Sequence, residues 1–513
     1  MNWKHTLSAL AAIVILGTGL RFSGLDNNSF VADEFLDMNS AYGYAQTGEW
    51  RAWDFNFGRP SEVNINVPRD ERAAVYKWQV AQIFRFLPPT ETVARSVSVL
   101  WGVISIGVIF WAAIVLTKRR EIGLLAALLF ALSVSGIIID RTLRMYAMFF
   151  PLYLATATFT FLALERVYSG RVLWVKNIWE KFGINIHFAV AAGAFFILSL
   201  LTHQLTGMLI FSVAAYLIVR AFQEYRRNGK WQSKYSVMFA LGLIGVIATA
   251  IFFPKFFRSF AAGLIFFDDH YGYIKYVLKD YYHPLLAIFL MVLGGWWIVK
   301  REGLPKESLW LSLSLLVPLS MAIWMWRRNV GAQYIFFAES FAMILVSAGV
   351  FSLWRLIREK WSLKVGVQSL LVLGIMLILV PNWGYFGEEN NTYHETSSGS
   401  NPNYRKVFAY FKKNHLATDV LVTRNVRNYY FSAAQVPVYD LGDEISRARL
   451  SQEALEKLML EYRTGWVILS DNDYDYVGKG VKDFLNKNLT RVSNDQVRGS
   501  IDVFTWVPLE TKR

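Results

Sequence analysis

The chain contains no cysteine, which excludes disulfides, a thiolate zinc site and a cysteine nucleophile. It has no P-loop, no G-x-S-x-G and no H-E-x-x-H, so three common catalytic arrangements have no starting point in it. No internal repeat is evident. The first apolar run, Leu7 to Leu20, has only Lys4 before it and no small-residue cleavage pattern after it, since Arg21-Phe22 follows. It reads as a retained first membrane helix rather than a cleaved signal.

What the chain does have is apolar residues in long runs. Of 513 residues, 54% are hydrophobic and 16% aromatic, and mean hydropathy is +0.30. Those values lie above the usual globular share and predict a polytopic α-helical membrane protein with soluble parts. The formal net charge is +14. The Lys and Arg residues cluster between apolar runs, so membrane topology accounts for much of the excess and nucleic acid is not implied as a partner.

Runs near the ~20-residue length of a bilayer core give about eleven spans. They fall near 5–22, 93–116, 122–139, 145–165, 186–202, 204–221, 235–254, 284–299, 308–326, 334–354 and 365–383. With the N-terminus in the cytoplasm, every short basic loop but one lies inside, including Lys118-Arg119-Arg120 and the Arg220 to Lys234 cluster. The exception is Arg327-Arg328, and such exceptions often mark ligand sites. The outer loop 23–90 and the whole C-terminus then face away from the cytoplasm. Within 23–90, two amphipathic helices, about Glu34 to Thr47 and Arg72 to Phe86, mix aromatics with cations as interfacial helices do, and the stretch between them looks irregular. The expected division is a membrane domain at 1–384, a polar linker at 385–399 and an extracytoplasmic α/β domain at 400–513.

Chemistry is concentrated at span ends. Asp33 and Glu34 follow the first span, with Phe30, Phe35 and Leu36 around them. Apolar neighbours strip water from a carboxylate and make it a better proton acceptor. The simpler alternative is that Asp33 N-caps a short interfacial helix. Asp140-Arg141-Thr142-Leu143-Arg144-Met145-Tyr146 falls between the third and fourth spans, on the same outer face. Its arginines suit a phosphate; the alternative is an Asp140–Arg144 ion pair at i,i+4. His203 in a short outer hairpin, and Arg327 and Arg328 with Tyr334, could join a phosphate site; a hydrogen-bonded structural histidine and lipid-headgroup contact are the competing readings. Asp268, Asp269 and His270 are candidate ligands for a divalent ion such as Mg or Mn; aspartate pairs also start turns and cap helices. Asp471 to Asp475 lacks the glycine and distal glutamate of an EF-hand.

Together these features suit a reaction on a lipid-linked phosphate. A sugar on a polyprenyl phosphate carries a weakly basic leaving group, so cations and a single base on the acceptor hydroxyl suffice. Two straddling carboxylates, as in glycosidases, are not needed.

The chain resembles the GT-C superfamily of glycosyltransferases, which includes protein O-mannosyltransferases and the lipid A aminoarabinose transferase. The likeness rests on Ala32-Asp33-Glu34 after the first span, Ala94 to Gly102 in the second, and Arg141 to Tyr146 before the fourth. Leu201 to Gln204, Gln333-Tyr334 and Asn403 to Val407 add to it. The segment Val67 to Arg72 departs from an apolar His-Pro-Pro run that relatives often carry there. The resemblance implies Asp33 as catalytic base, supported by Glu34, with Asp140 orienting the acceptor or a metal. It implies Arg141 and Arg144 on the donor phosphate, a polyprenyl-phosphate-linked sugar as donor and an unidentified acceptor. A transporter or lipid flippase, or a non-catalytic assembly subunit of an envelope glycan pathway, are the rival classes; transporters tend to show repeated halves and midplane charges.

Overall fold

The computed structural model describes all residues except 1, 62–70, 232, 265–268, 327–330, 361–366, 368–369, 371–373, 375–376, 397–398, 400, 443–449, 470–472, 493–500 and 507–513. It divides into two compact units. One comprises Met1–Phe22, Ser98–Arg141 and Met145–Gly387; the other comprises Ser23–Val97, Thr142–Arg144 and Glu388–Arg513. The outer loop and the C-terminal segment therefore belong to one unit.

The first unit is helical. Among the described residues, seven helices are long and apolar enough to cross a membrane, or up to nine if two bent pairs each count as one span. One bent pair, Arg120–Ala131 with Val134–Asp140, turns by 59° where Ser133 caps the second helix. Pro284–Lys300 is apolar but shorter. Tyr146–Glu165 and Phe336–Lys360 are almost wholly buried and form the centre, whereas Lys234–Phe252 exposes Leu241, Ile244, Ile247 and Ile251. A helix apolar on its outer face needs an apolar solvent, and a multi-pass membrane protein provides that setting. Of the expected eleventh span, 365–383, nine of nineteen residues lie outside the described residues.

The second unit starts with helix α1's exit: α1 is Trp3–Phe22, and after the turn at 23–31 comes α2, Ala32–Thr47. α2 ends at Gly48, whose φ of 78° is a left-handed cap that glycine adopts without strain. Between α2 and the helix Ala74–Phe84, strands β1 (Trp53–Asp54) and β2 (Arg59–Pro60) pair in a short hairpin where an irregular stretch was expected. The expected helix of about Arg72 to Phe86 spans Ala74–Phe84; it buries Tyr76, Lys77, Val80 and Phe84 and packs on α2. Lys77 Nζ donates to Ser40 Oγ at 3.2 Å and lies over the Trp50 ring.

The C-terminal segment forms a five-stranded mixed sheet in the order β4-β3-β5-β7-β6, with β3 Val420–Thr423, β4 Val438–Asp440, β5 Gly465–Leu469, β6 Thr490–Arg491 and β7 Asp502–Trp506. β3 is parallel to β4 and β5, and β7 runs antiparallel to β5 and β6. β3 and β5 are buried along their whole length, the pattern of strands covered on both faces. The expected helices and strands at 405–413, 419–423, 452–462, 465–470 and 500–507 form within a few residues. β4 and the helix Lys479–Asn488 were not anticipated.

Candidate active site

The cap of α2 is Val31, so Asp33 is the second residue of the helix and not its cap. Asp33 and Glu34 are adjacent in sequence but about 100° apart around a helix of 3.6 residues per turn, and their surroundings differ completely. Glu34 is 1% exposed. Its Oε1 accepts from Arg95 Nε (2.9 Å) and Leu143 N (2.7 Å), and its Oε2 from Arg95 Nη2 (2.7 Å) and Val31 N (2.9 Å). Arg95 directs its remaining N–H groups to the carbonyls of Leu25, Asn28 and Ser29. All five guanidinium donors are thereby committed to the segment that leads into α2. Glu34 is a structural anchor with no free lone pair for chemistry.

The Asp33 side chain is 55% exposed. It pairs with Arg144 Nη2 at 3.2 Å, while Arg144 Nη1 lies 2.9 Å from Asp37 Oδ2. Asp33 and Asp37 stand one turn apart on the same face, and a single guanidinium, itself nearly buried, bridges them. The bridge orients Asp33 and leaves its outer side open to solvent. Asp37 was not anticipated as part of the site, although its i+4 spacing from Asp33 is visible in the sequence.

Nearby, Glu91 Oε1 accepts from Arg405 and from the Tyr430 hydroxyl at 2.7 Å. Burial, with the Glu91 carboxylate close by, raises the Tyr430 phenol well above its ordinary value, so it keeps its proton and donates. Burial also pushes the Asp54 carboxyl up, against the opposing N–H groups of Asn56 and Phe57.

The other predicted residues fall in the helical unit. Asp140 is fully buried and accepts from Arg21 Nε at 2.7 Å. The alternative Asp140–Arg144 pair is not made: Arg21 reaches Asp140 while also donating to the carbonyls of Phe130 and Ala131. Gly102 lets Asp140 approach; a Cβ there would run into the carboxylate. Arg141 donates to the Arg21 carbonyl at 3.1 Å, closing the C-terminal turn of α1. Tyr146, His203 and Tyr334 do come together: the Tyr146 ring centroid lies 5.1 Å from that of His203 and 6.4 Å from that of Tyr334. His203 Nδ1 accepts from Leu205 N at 3.0 Å, capping the short turn Gln204–Gly207. Arg327, Arg328 and Asp268 lie outside the described residues.

At the buried Glu34 and Asp140 a guanidinium takes the place a metal would need, and Asp33 pairs with Arg144. Among the described residues, no group of three or more His, Cys, Asp or Glu is placed to hold an ion, Asp269 and His270 included.

No protein-family model and no curated protein matches the sequence. Solved structures do match. The chain is similar to apo ArnT from Cupriavidus metallidurans at TM-score 0.57 and 12% identity, over 97% of each chain. It is similar to the same protein bound to undecaprenyl phosphate at TM-score 0.55 and 14% identity, over 98% of each chain. It is also similar to the Archaeoglobus fulgidus oligosaccharyltransferase AglB in complex with an inhibitory peptide and a dolichol-phosphate. That match has TM-score 0.56 and 11% identity, over 90% of this chain and 69% of the other. ArnT, a lipid A aminoarabinose transferase, and AglB are both GT-C glycosyltransferases. The chain has their fold.

Proposed function

We propose that the chain is an inverting membrane glycosyltransferase that moves one sugar from a polyprenyl-phosphate carrier to an acceptor hydroxyl outside the cytoplasm. The observation that carries this is Asp33, half-exposed on the first helix after the first span and paired with Arg144, in a chain of which 97% is covered by the match to ArnT. ArnT and AglB carry undecaprenyl phosphate and dolichol-phosphate in solved complexes, which supports a donor of that class here.

In the proposed step the acceptor oxygen attacks the anomeric carbon, and the bond from that carbon to the phosphate oxygen breaks. The proton of the acceptor hydroxyl passes to Asp33, and the lipid phosphate leaves with the bonding pair. One displacement inverts the anomeric centre. Arg144 holds the base, and Glu34 with Arg95 holds the backbone that carries it. The rings of Tyr146, His203 and Tyr334, with Arg327 and Arg328 close by in sequence, are the proposed phosphate site. Arg141 and Asp140 act through α1, as a cap and a counter-ion. The orientation puts the N-terminus in the cytoplasm and the C-terminal domain outside.

The test uses purified protein with undecaprenyl-phosphate-linked hexoses and pentoses, following release of undecaprenyl phosphate. Asp33→Asn should lower turnover about 10²–10⁴-fold, the range for a lost general base, while still binding the lipid. Wild-type turnover by that variant rejects the base, and no release from any sugar donor rejects the transferase reading.

A further inference from the structure

We infer that the C-terminal domain is an intramolecular clamp on α2, with Tyr430 a positioning residue for Asp33. The inference rests on the reading of Asp33 as the base, and it assigns the domain a task within the chain.

In an open α/β sheet, ligands bind beyond the carboxyl ends of the strands where successive connections diverge to opposite sides. Here that point lies at β3, which has β4 on one side and β5 on the other. The loop leaving β3, residues 424–436, stands where such a ligand would sit, and it grips the chain's own outer loop. Phe55 N donates to Asn428 Oδ1 at 3.1 Å and Ala433 N to the Phe55 carbonyl at 3.0 Å. Asn56 Nδ2 donates to the Val436 carbonyl at 2.9 Å. At the base of the loop, Arg424 and Asp473 form a buried ion pair, with Arg424 Nε donating to Oδ2 at 2.9 Å.

The same loop reaches α2 from two ends. At the start, Phe30 N donates to the Tyr430 hydroxyl at 2.7 Å, three residues before Asp33. Further along, Asn39 Nδ2 donates to the Val426 carbonyl at 2.8 Å, two residues after Asp37. Between these bonds, the Phe30 and Phe35 rings pack edge-on against Tyr429, Tyr404 and Tyr430, and the Arg427 guanidinium lies over Phe35. The two carboxylates that share Arg144 thus sit on a helix held by side-chain–backbone hydrogen bonds before and after them. Tyr430 touches neither carboxylate; it acts by fixing the turn from which Asp33 projects.

Tyr430→Phe removes the hydroxyl and keeps the ring, and Asn39→Ala releases the other end. Amide hydrogen exchange of residues 30–39, in the full-length protein, needs no donor and no base. Either variant should speed exchange there about tenfold or more. Turnover of the undecaprenyl-phosphate sugar that serves as substrate should fall about 10- to 100-fold, as expected for a misplaced group, with undecaprenyl phosphate affinity within about twofold of wild type. Because Tyr430 acts through Asp33, Asp33→Asn/Tyr430→Phe should be no slower than Asp33→Asn alone. Unchanged exchange and turnover in both single variants overturns the clamp. A double variant that is slower still, with weakened lipid binding, overturns the positioning role. If Asp33→Asn alone turns over normally while Tyr430→Phe still frees residues 30–39, the clamp stands and the base assignment fails.

Discussion

Replacing Arg95 tests the view that the loop before Asp33 is built around one guanidinium. In Arg95→Met the buried Glu34 carboxylate, 1% exposed, loses its counter-ion and two of its four donors. Removing one partner of a buried pair costs about 3–5 kcal/mol. The carbonyls of Leu25, Asn28 and Ser29 lose a charged donor as well, so the upper end applies, about 4–5 kcal/mol. Against a typical stability of about 5–15 kcal/mol, this is a large fraction. Arg95→Lys keeps the charge but has three donors on a point rather than five on a fork, and about half the loss, ~2 kcal/mol, is expected. For a unit of this size, about 2–4 °C of midpoint accompanies each kcal/mol. Thermal unfolding in detergent should therefore show a drop of about 8–20 °C for Met and about 4–8 °C for Lys. Glu34→Gln combined with Arg95→Met should be less than additive. If Arg95→Lys unfolds within a degree of wild type, the fork is not what holds the segment, and the account of Glu34 as a fixed anchor fails with it.

Three other outcomes follow from the geometry. Gly102→Ala should destabilise the helical unit by about 1–3 kcal/mol, the range for overpacking, because its new Cβ meets the Asp140 carboxylate; a variant as heat-stable as wild type would show that the helices yield freely there. Asp37→Asn removes one of the two carboxylates that Arg144 bridges, and turnover should fall while donor affinity holds, read from kcat and KM measured separately. Asp54 has its folded-state affinity for a proton raised by burial, so its ionisation opposes folding: the favourable contribution is present below the unfolded-state value and is lost as pH rises through the folded one. Asp54→Asn should accordingly raise the unfolding midpoint at pH 7, with the advantage vanishing as pH falls below the ordinary carboxylate range; a constant difference from pH 3 to 8 would refute that cause.

The membrane helices were legible because length and hydropathy alone define them: 91–117, 146–165 and 234–252 match the apolar runs to within a few residues. The bend at Leu132-Ser133 was not visible, since it depends on a capping serine inside an apolar stretch. Asp33 was legible from its place after the first span. Its division of labour with Glu34 was not, because that depends on Arg95, which lies 61 residues from Glu34. Arg95 did carry a signal, a full charge at the mouth of an apolar run, but its partner cannot be read from spacing. The burial of Lys77 was not legible for a similar reason: flanked by Tyr76 and Trp78 in sequence, it is buried only by packing in the fold. The grouping of the outer loop with the C-terminal segment rests on contacts such as Phe30 with Tyr430, 400 positions apart, for which no local pattern exists.

The pairing of each acid with its own arginine gives the arrangement its chemical logic. A carboxylate that must take a proton has to be both oriented and reachable, and a fully satisfied one is oriented but closed. Glu34 with four donors is the closed case. Asp33, sharing Arg144 with Asp37, is oriented and, with its side chain 55% exposed, reachable. Exchanging the two residues, Asp33→Glu with Glu34→Asp, keeps composition and charge but shortens the anchor by one methylene, about 1.5 Å at the carboxylate. The shortened carboxylate at position 34 can then no longer accept from Arg95, Leu143 N and Val31 N together. Activity should be lost together with the ordering of residues 25–34, and Asp33→Glu alone should be the milder change. Equal activity of the exchanged protein would mean that the environment of the pair, and not the length of each side chain, assigns the roles.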